Sequence, residues 1–344
     1  MNQTSQYGFF GVYLSFSTNS EPCYRKFQDV FGYFQTQAPR IDITCAIEET
    51  NGAYRVTAKS RRYSLQYVMD TPPPTDTYLS LFGPVIYEVK DFFLIHAGSL
   101  NTPGGKSIFI AAPSGFGKTT LTRELIKQGF KLLSDELAPI SLKTGLIYPY
   151  PRGMGVIFGQ GKKIVPFPRA IIGEKCRPGY VIFLSLHKDP SSQATRYIEI
   201  ALGRINDALV TEFKNLPGVQ QITRVPDRLF PMLRLVLTPD TIIVPRIQAL
   251  CNKNNVPIIY TLKGKTRAPD YQAPPEIEEL SLKQGVFELS QHILNAHNSA
   301  LLEETFTGSR PRMIFELAGL MDQARFFNLY VGNLSQMVSL VKNI

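Results

Sequence analysis

The run Ala112-Pro113-Ser114-Gly115-Phe116-Gly117-Lys118-Thr119 constrains this chain more than any other segment. Before it stands Ser107-Ile108-Phe109-Ile110-Ala111, a short apolar run of the kind a buried strand shows. After it, Thr120-Leu121-Thr122-Arg123-Glu124-Leu125-Ile126-Lys127 spaces its aliphatic residues along one helical face, and Gly129 marks where that helix should stop. Strand, glycine-rich turn and helix in that order make a loop that wraps a phosphate. Gly115 and Gly117 let backbone N–H groups curl around an anion, and the helix N-terminus adds partial positive charge. The expected contacts to a nucleoside triphosphate come from Ser114, Gly115, Phe116, Gly117, Lys118, Thr119 and Thr120. Within that set Lys118 reaches the β- and γ-phosphates, and the Thr119 hydroxyl sits on Mg²⁺. The pattern ordinarily opens on glycine, so Ala112 requires a negative φ there.

One helix later the chain reads Phe130-Lys131-Leu132-Leu133-Ser134-Asp135-Glu136. A short strand ending in two acids completes a β-α-β unit, whose right-handed crossover predicts parallel, neighbouring strands. Asp135 and Glu136 are thereby expected at the sheet edge that carries the loop. Two carboxylates there can divide between holding Mg²⁺ and accepting a proton from an attacking hydroxyl. Taken alone, the pair also suits a solvated acidic turn. Upstream, Phe92-Phe93-Leu94-Ile95-His96-Ala97-Gly98 is a second apolar run, followed by the turn residues Asn101-Thr102-Pro103-Gly104-Gly105. His96 and the loop are thus predicted on the two arms of a hairpin, with His96 able to bond a carboxylate or a phosphate.

Together, Ile95-His96-Ala97-Gly98, the phosphate loop and Gly129 to Glu136 resemble the catalytic core of the HPr kinase/phosphorylase family. They look closer still to the HPr-kinase-related proteins found beside peptide-modifying enzymes. The specific resemblance covers residues 92–140 and continues weakly in Tyr148-Pro149-Tyr150-Pro151-Arg152 and in Phe327 to Leu334. It implies an α/β fold, a P-loop kinase core of the HPr kinase type, here with a β-rich N-terminal region. It implies ATP and Mg²⁺ as cofactors, nucleotide contacts from Gly115, Gly117, Lys118 and Thr119, and Asp135 and Glu136 as catalytic carboxylates with His96 beside them. Both acids and Thr119 are candidate metal ligands, and Lys118 joins the catalytic set. The family usually has two aspartates where this chain has Asp135-Glu136, which leaves the roles of base and ligand to be divided; Asp135 is favoured as base.

At 344 residues the chain suits one large or two modest domains. Apolar residues make up 44%, no run is long enough to span a membrane, and Met1 to Tyr7 lack the basic start of a secretory signal. A soluble cytoplasmic protein is expected. Cys23, Cys45, Cys176 and Cys251 lack paired metal-ligand spacing and read as reduced thiols. The net charge of +9 raises nucleic acid as a partner, but the basic residues are spread along the chain without an arginine-rich arm. A basic groove serves a triphosphate and an acidic peptide equally well.

The organisation predicted is a β-rich region over 1–90, a P-loop kinase core over 91–190, an insertion over 191–285 and a completion of the core over 286–344. Strands are expected at Phe9 to Phe16, Ile41 to Ile47 and Tyr54 to Ala58, the last two flanking the hairpin signal Asn51-Gly52. The β-rich region does not look like the N-terminal domain of full-length HPr kinases. Further strands are expected at Tyr180 to Leu186 and Pro257 to Tyr260, and a short element at Leu229 to Leu237. Lys263-Gly264-Lys265-Thr266 reads as a loop, 266–275 as extended and exposed, and 284–303 and 312–325 as helices. The insertion suits substrate recognition or a homo-oligomer contact. Arg152 and Arg177 are candidate phosphate contacts. The expected activity is transfer of the γ-phosphoryl group of ATP to a hydroxyl, chiefly a serine of a protein or peptide. A small-molecule kinase, a P-loop ATPase or switch, and a degenerate nucleotide-binding scaffold are the alternatives.

Overall fold

Alternating burial shapes the first strands. The computed structural model describes residues 2–113, 116–152, 154–158, 161–165, 167–187, 195–225, 231–238, 243–266 and 269–344. In it, β1 (Gln3–Phe9) and β2 (Val12–Thr18) form an antiparallel hairpin. Their turn, Phe10-Gly11, lies inside the run expected to be one strand, and both residues have positive φ, 54° and 87°. A bulky residue rarely adopts that backbone, so the apolar pattern hides the turn. The helix α1 (Glu21–Phe31) crosses over to β3 (Ile43–Thr50), which runs parallel to β2. β4 (Ala53–Lys59) returns through Asn51-Gly52, with φ of 51° and 79°, and β5 (Ser64–Met69) completes a five-stranded sheet. The Phe27 ring of α1 stacks on Phe16 of β2 at 3.9 Å. Two short helices, α2 (Thr75–Ser80) and α3 (Gly83–Glu88), lead onward.

The second apolar run splits at His96-Ala97. β6 (Phe92–Ile95) ends there, and β7 (Gly98–Asn101) pairs with β8 (Ser107–Ala111). The hairpin therefore exists, but its first arm is β7, and His96 stands at the corner before it. Next come α4 (Lys118–Lys127), β9 (Lys131–Ser134) and β10 (Ala138–Ser141), the last pairing antiparallel with β6. β9 is not the neighbour of β8. The tight 102–106 turn lays β7 beside β8, so β9 pairs with β7 instead and is parallel to β8 at one remove. A hairpin of β11 (Met154–Phe158) and β12 (Gly161–Val165) follows, then β13 (Pro178–Ser185), parallel to β8.

From 195 to 266 the chain forms a βαββαβ unit. Its elements are β14 (Thr195–Leu202), α5 (Asp207–Lys214), β15 (Val219–Val225), β16 (Met232–Leu237), α6 (Val244–Lys253) and β17 (Ile258–Thr266). The sheet order is β15-β16-β14-β17, and Ile198, Ile200, Leu233 and Leu235 pack against Leu209, Phe213 and Ile247. Lys263 to Thr266, expected as a loop, lie in β17, where pairing to β14 overrides the weak strand preference of Gly264. Of the element expected at Leu229 to Leu237, residues 229–230 lie outside the described residues.

β18 (Glu276–Leu280), inside the segment 191–285, is an edge strand of the core sheet. α7 (Leu282–Ser290), α8 (Arg310–Leu320), β19 (Arg325–Tyr330) and α9 (Leu334–Lys342) finish the chain. The helix expected over 284–303 stops at Ser290, because the chain turns there to dock on β6; a π-helical turn at Leu301–Thr305 follows. Among the described residues the core sheet has six strands in the order β18-β19-β13-β8-β7-β9. Its two faces follow the period of two. Ile108, Ile110, Ile182 and Leu184 meet Leu121, Leu125, Met337 and Val338 of α4 and α9. Phe109, Ala111, Val181 and Phe183 meet Val286, Leu289, Met313 and Leu317 of α7 and α8. The molecule is thus a mixed α/β fold with several sheets, and no helix among the described residues is long and apolar enough to cross a membrane.

Two joints fix the parts around the core. Arg62 bonds Glu88 at 3.2 Å, Glu303 at 3.2 Å and Glu304 at 2.5 Å, tying β5's approach to the π-helical turn. Asn295, fully buried, accepts from Leu94 N at 3.0 Å and donates to the Phe92 carbonyl at 2.9 Å. It substitutes for a neighbouring strand along one edge of β6. Asn295→Ala strands these buried backbone groups and should lower unfolding free energy by about 2 kcal/mol or more. Denaturant titration of the two proteins measures this, and equal midpoints would contradict the clasp.

Candidate active site

The loop's flanks sit as the sequence expects. Gly117 is the N-cap of α4 with φ of 85°, in the left-handed region that glycine enters freely, and its carbonyl accepts the first helical bond from Leu121. Ala112 does not have positive φ, which removes the objection to alanine at the head of the pattern. Ser114 and Gly115 lie outside the described residues. Phe116 is 7% exposed and packs inward with the α4 face, while Thr120 is exposed on the first turn. Gly129 stands two residues past α4 with φ of 93°, the left-handed stop expected of it.

The acids follow β9 directly, and their turn is built locally. The Ser134 hydroxyl accepts from Glu136 N at 3.2 Å and Leu137 N at 2.9 Å. That turn sends the two side chains to different partners. The Thr119 hydroxyl donates to Asp135 Oδ2 at 3.2 Å, so Asp135 faces the start of α4. Asp135 Oδ1 is buried with no hydrogen-bonding partner among the described residues. Glu136, 6% exposed, has Oε2 3.3 Å from His96 Nε2 and Oε1 3.7 Å from Arg152. Lys118 Nζ lies 3.3 Å from the same His96 nitrogen. Lysine only donates and an ionised carboxylate only accepts, so the His96 tautomer decides which of the two it bonds.

The environments push the acids apart. Burial, with the charge of Glu136 alongside, raises Asp135 above the ordinary carboxylate range against Lys118, Arg152 and the Thr119 bond. Burial acts on Glu136 in the same direction, but Lys118, His96 and Arg152 close by outweigh it and hold its carboxyl well below the usual range. The result is one persistent anion beside one carboxylate that is more basic than usual.

His96, Lys118, Thr119, Asp135 and Glu136 therefore converge, and Arg152 joins them. The Arg152 Nε has no hydrogen-bonding partner among the described residues. The segment before it is anchored by Tyr150, fully buried, whose ring meets Phe34 at 5.0 Å and Phe82 at 5.3 Å. The β-rich region thus holds an arginine against the acid pair. Arg177 is not in this group; its carbonyl accepts from Ser107 N. His292 carried no signal in the sequence. Its carbonyl accepts from His96 N at 2.8 Å, fixing the corner, and burial with His96 and Lys118 nearby pulls its imidazole down to about 3. No motif could have revealed it, because its role is a backbone bond across the fold.

The clamp has a measurable consequence. Glu136→Gln leaves Lys118, His96 and Arg152 without their anion and should lower stability by about 3 kcal/mol near neutral pH. The folded pKa of Glu136 lies below its ordinary 4.5, so its contribution is present above that value and disappears as the pH falls below it. Urea unfolding across a pH series should show the two proteins converging in acid; a pH-independent gap would sink the assignment.

No protein-family model matches the chain, and no curated protein matches it. Among solved structures it is similar to an HPr(Ser) kinase/phosphatase from Coxiella burnetii, at 17% identity over 47% of this chain and 95% of that one, with a TM-score of 0.24. A likeness of that size decides neither fold nor activity.

Proposed function

We propose that the protein is an ATP-dependent kinase that transfers the γ-phosphoryl group to a hydroxyl, the serine of a protein or peptide. One observation carries this reading: a buried carboxylate disposed to take a proton, Asp135, is bonded to the first turn of the loop helix, back to back with a clamped anion, Glu136. An attacking hydroxyl has a proton to lose, and a carboxylate beside the loop helix is placed to take it.

Mg²⁺ is tested by the chemistry of the donors present. Among the described residues no group of three or more His, Cys, Asp or Glu gathers, so the protein alone offers no cage. The Thr119 hydroxyl and the Asp135 carboxylate are hard oxygens side by side, which suits an ion that keeps waters and phosphate oxygens as its other ligands. Thr119 would hold it, which leaves Asp135 for the acceptor's proton. Bound with ATP, Mg²⁺ supplies neutralisation of the phosphate charge.

The protein's own groups do the rest. Backbone N–H groups at the loop and the N-terminus of α4 hold phosphate oxygens, and Lys118 adds a donor. Asp135 accepts the acceptor's hydroxyl proton as the oxygen bonds to the γ-phosphorus and the bond to the β-phosphate oxygen breaks, releasing ADP. Glu136 keeps Lys118, His96 and Arg152 in place, and Arg152 would add positive charge beside the transferred group. Positioning and electrostatics supply most of the rate.

Asp135→Asn should reduce phosphoryl transfer about 10³-fold while Mg·ATP still binds. Incubation with γ-labelled ATP and candidate peptides, followed by mapping of the labelled residue, measures this. Label on a serine supports the assignment. Label on free serine or sugar would make it a small-molecule kinase, and rapid ATP hydrolysis indifferent to acceptor would make it an ATPase.

A further inference from the structure

Gly117, at the end of the phosphate loop, is approached by a residue from far along the chain. Tyr271 lies between β17 and β18, and its ring rests against Gly117: a methyl group built on Gly117 would stand 3.6 Å from the ring edge and 3.9 Å from the hydroxyl. The strap that carries it is tied down. Asp270 turns the chain, its carboxylate accepting from Gln272 N at 2.9 Å. The Ala273 carbonyl accepts from Asn333 N at 2.8 Å, just past the end of β19. Gly332 makes that approach possible, since a Cβ there would collide with the Ala273 carbonyl oxygen and come 2.8 Å from Pro275 N. Asn333 in turn caps α9 through Ser335 N and Gln336 N. Strap, sheet end and helix form one joint, and it delivers Tyr271 to the loop.

Despite these ties, Tyr271 is 45% exposed, so part of the residue still faces solvent beside the loop. The loop's own aromatic, Phe116, is turned into the core and cannot serve a ligand. Backbone N–H groups can hold only the phosphates of a nucleotide; the nucleoside must leave the loop and find a flat partner. We infer that Tyr271 is that partner: its ring forms a wall of the nucleoside subsite and stacks on the purine of a bound nucleoside triphosphate. This rests on the nucleotide role proposed for the loop. Because every base has a π face, such a wall favours a nucleoside over bare phosphate without choosing between adenine and guanine.

The test is calorimetric titration of the 344-residue chain and of its Tyr271→Ala and Tyr271→Phe variants with Mg·ATP and, separately, with magnesium tripolyphosphate. Tyr271→Ala should weaken Mg·ATP about ten-fold, the usual loss for one stacked base, and leave tripolyphosphate unchanged. Tyr271→Phe should retain ATP affinity. Unchanged ATP binding by Tyr271→Ala overturns the inference. Equal loss of both ligands also overturns it, since the tyrosine would then support the loop. If the unaltered protein binds tripolyphosphate but ATP no more tightly, the nucleoside subsite fails while the loop's role stands. If it binds neither, both fall together. Circular dichroism of each variant checks the fold, and an exposed strap residue should leave the spectrum unchanged.

Discussion

The buried carboxylate of Glu136 is the constraint around which this molecule is arranged. An anion taken out of water is sustained only by donors and positive charge at close range. Here the imidazole and the positive charges come from separate parts of the chain: His96 from the corner after β6, Lys118 from the start of α4, and Arg152 from beyond β10. Each arrives by a different structural route. The cluster is therefore a meeting point that forms only when the core sheet, the loop helix and the aromatic core under Tyr150 are all in place.

The surrounding architecture serves that meeting point. The sheet is covered on both faces, which makes the strand ends the accessible edges and puts the loop, the acid turn and the corner at one of them. β6 lies outside the core sheet and is held by β10 on one side and by Asn295 and His292 on the other. The β-rich N-terminal region contributes no candidate catalytic group, yet its rings Phe34 and Phe82 pack the Tyr150 side chain two residues from Arg152. The strap with Tyr271 adds a second long-range delivery, this time to the loop itself.

Several elements were legible because their causes are local. The strand before the loop, α4, its stop at Gly129 and the strand ending in Asp135-Glu136 follow from side-chain period and glycine placement within a few residues. The Asn51-Gly52 hairpin is of the same kind. The misreadings have local causes too. Phe10 in left-handed backbone disguised a turn, and Gly264 disguised a strand. Pairing between elements was less legible: β9 was expected beside β8, but the short turn at 102–106 put β7 there first. The end of α7 at Ser290 likewise depends on the docking of 292–295 against β6, which no helical period encodes.

The sequence by its local pattern carries a glycine-rich turn between a strand and a helix, a lysine and a threonine at the helix start, and two acids at the end of the next strand. Those follow from bonds between residues close in the chain. The difference between the two acids comes from the tertiary structure, where Lys118, His96 and Arg152 favour the anion of Glu136 and burial makes Asp135, beside Thr119, more basic than usual. The tertiary structure also decided that His292, Asn295 and Tyr271 belong to the neighbourhood of the site. Electrostatic coupling and burial depend on distance through space, and sequence separation says little about either.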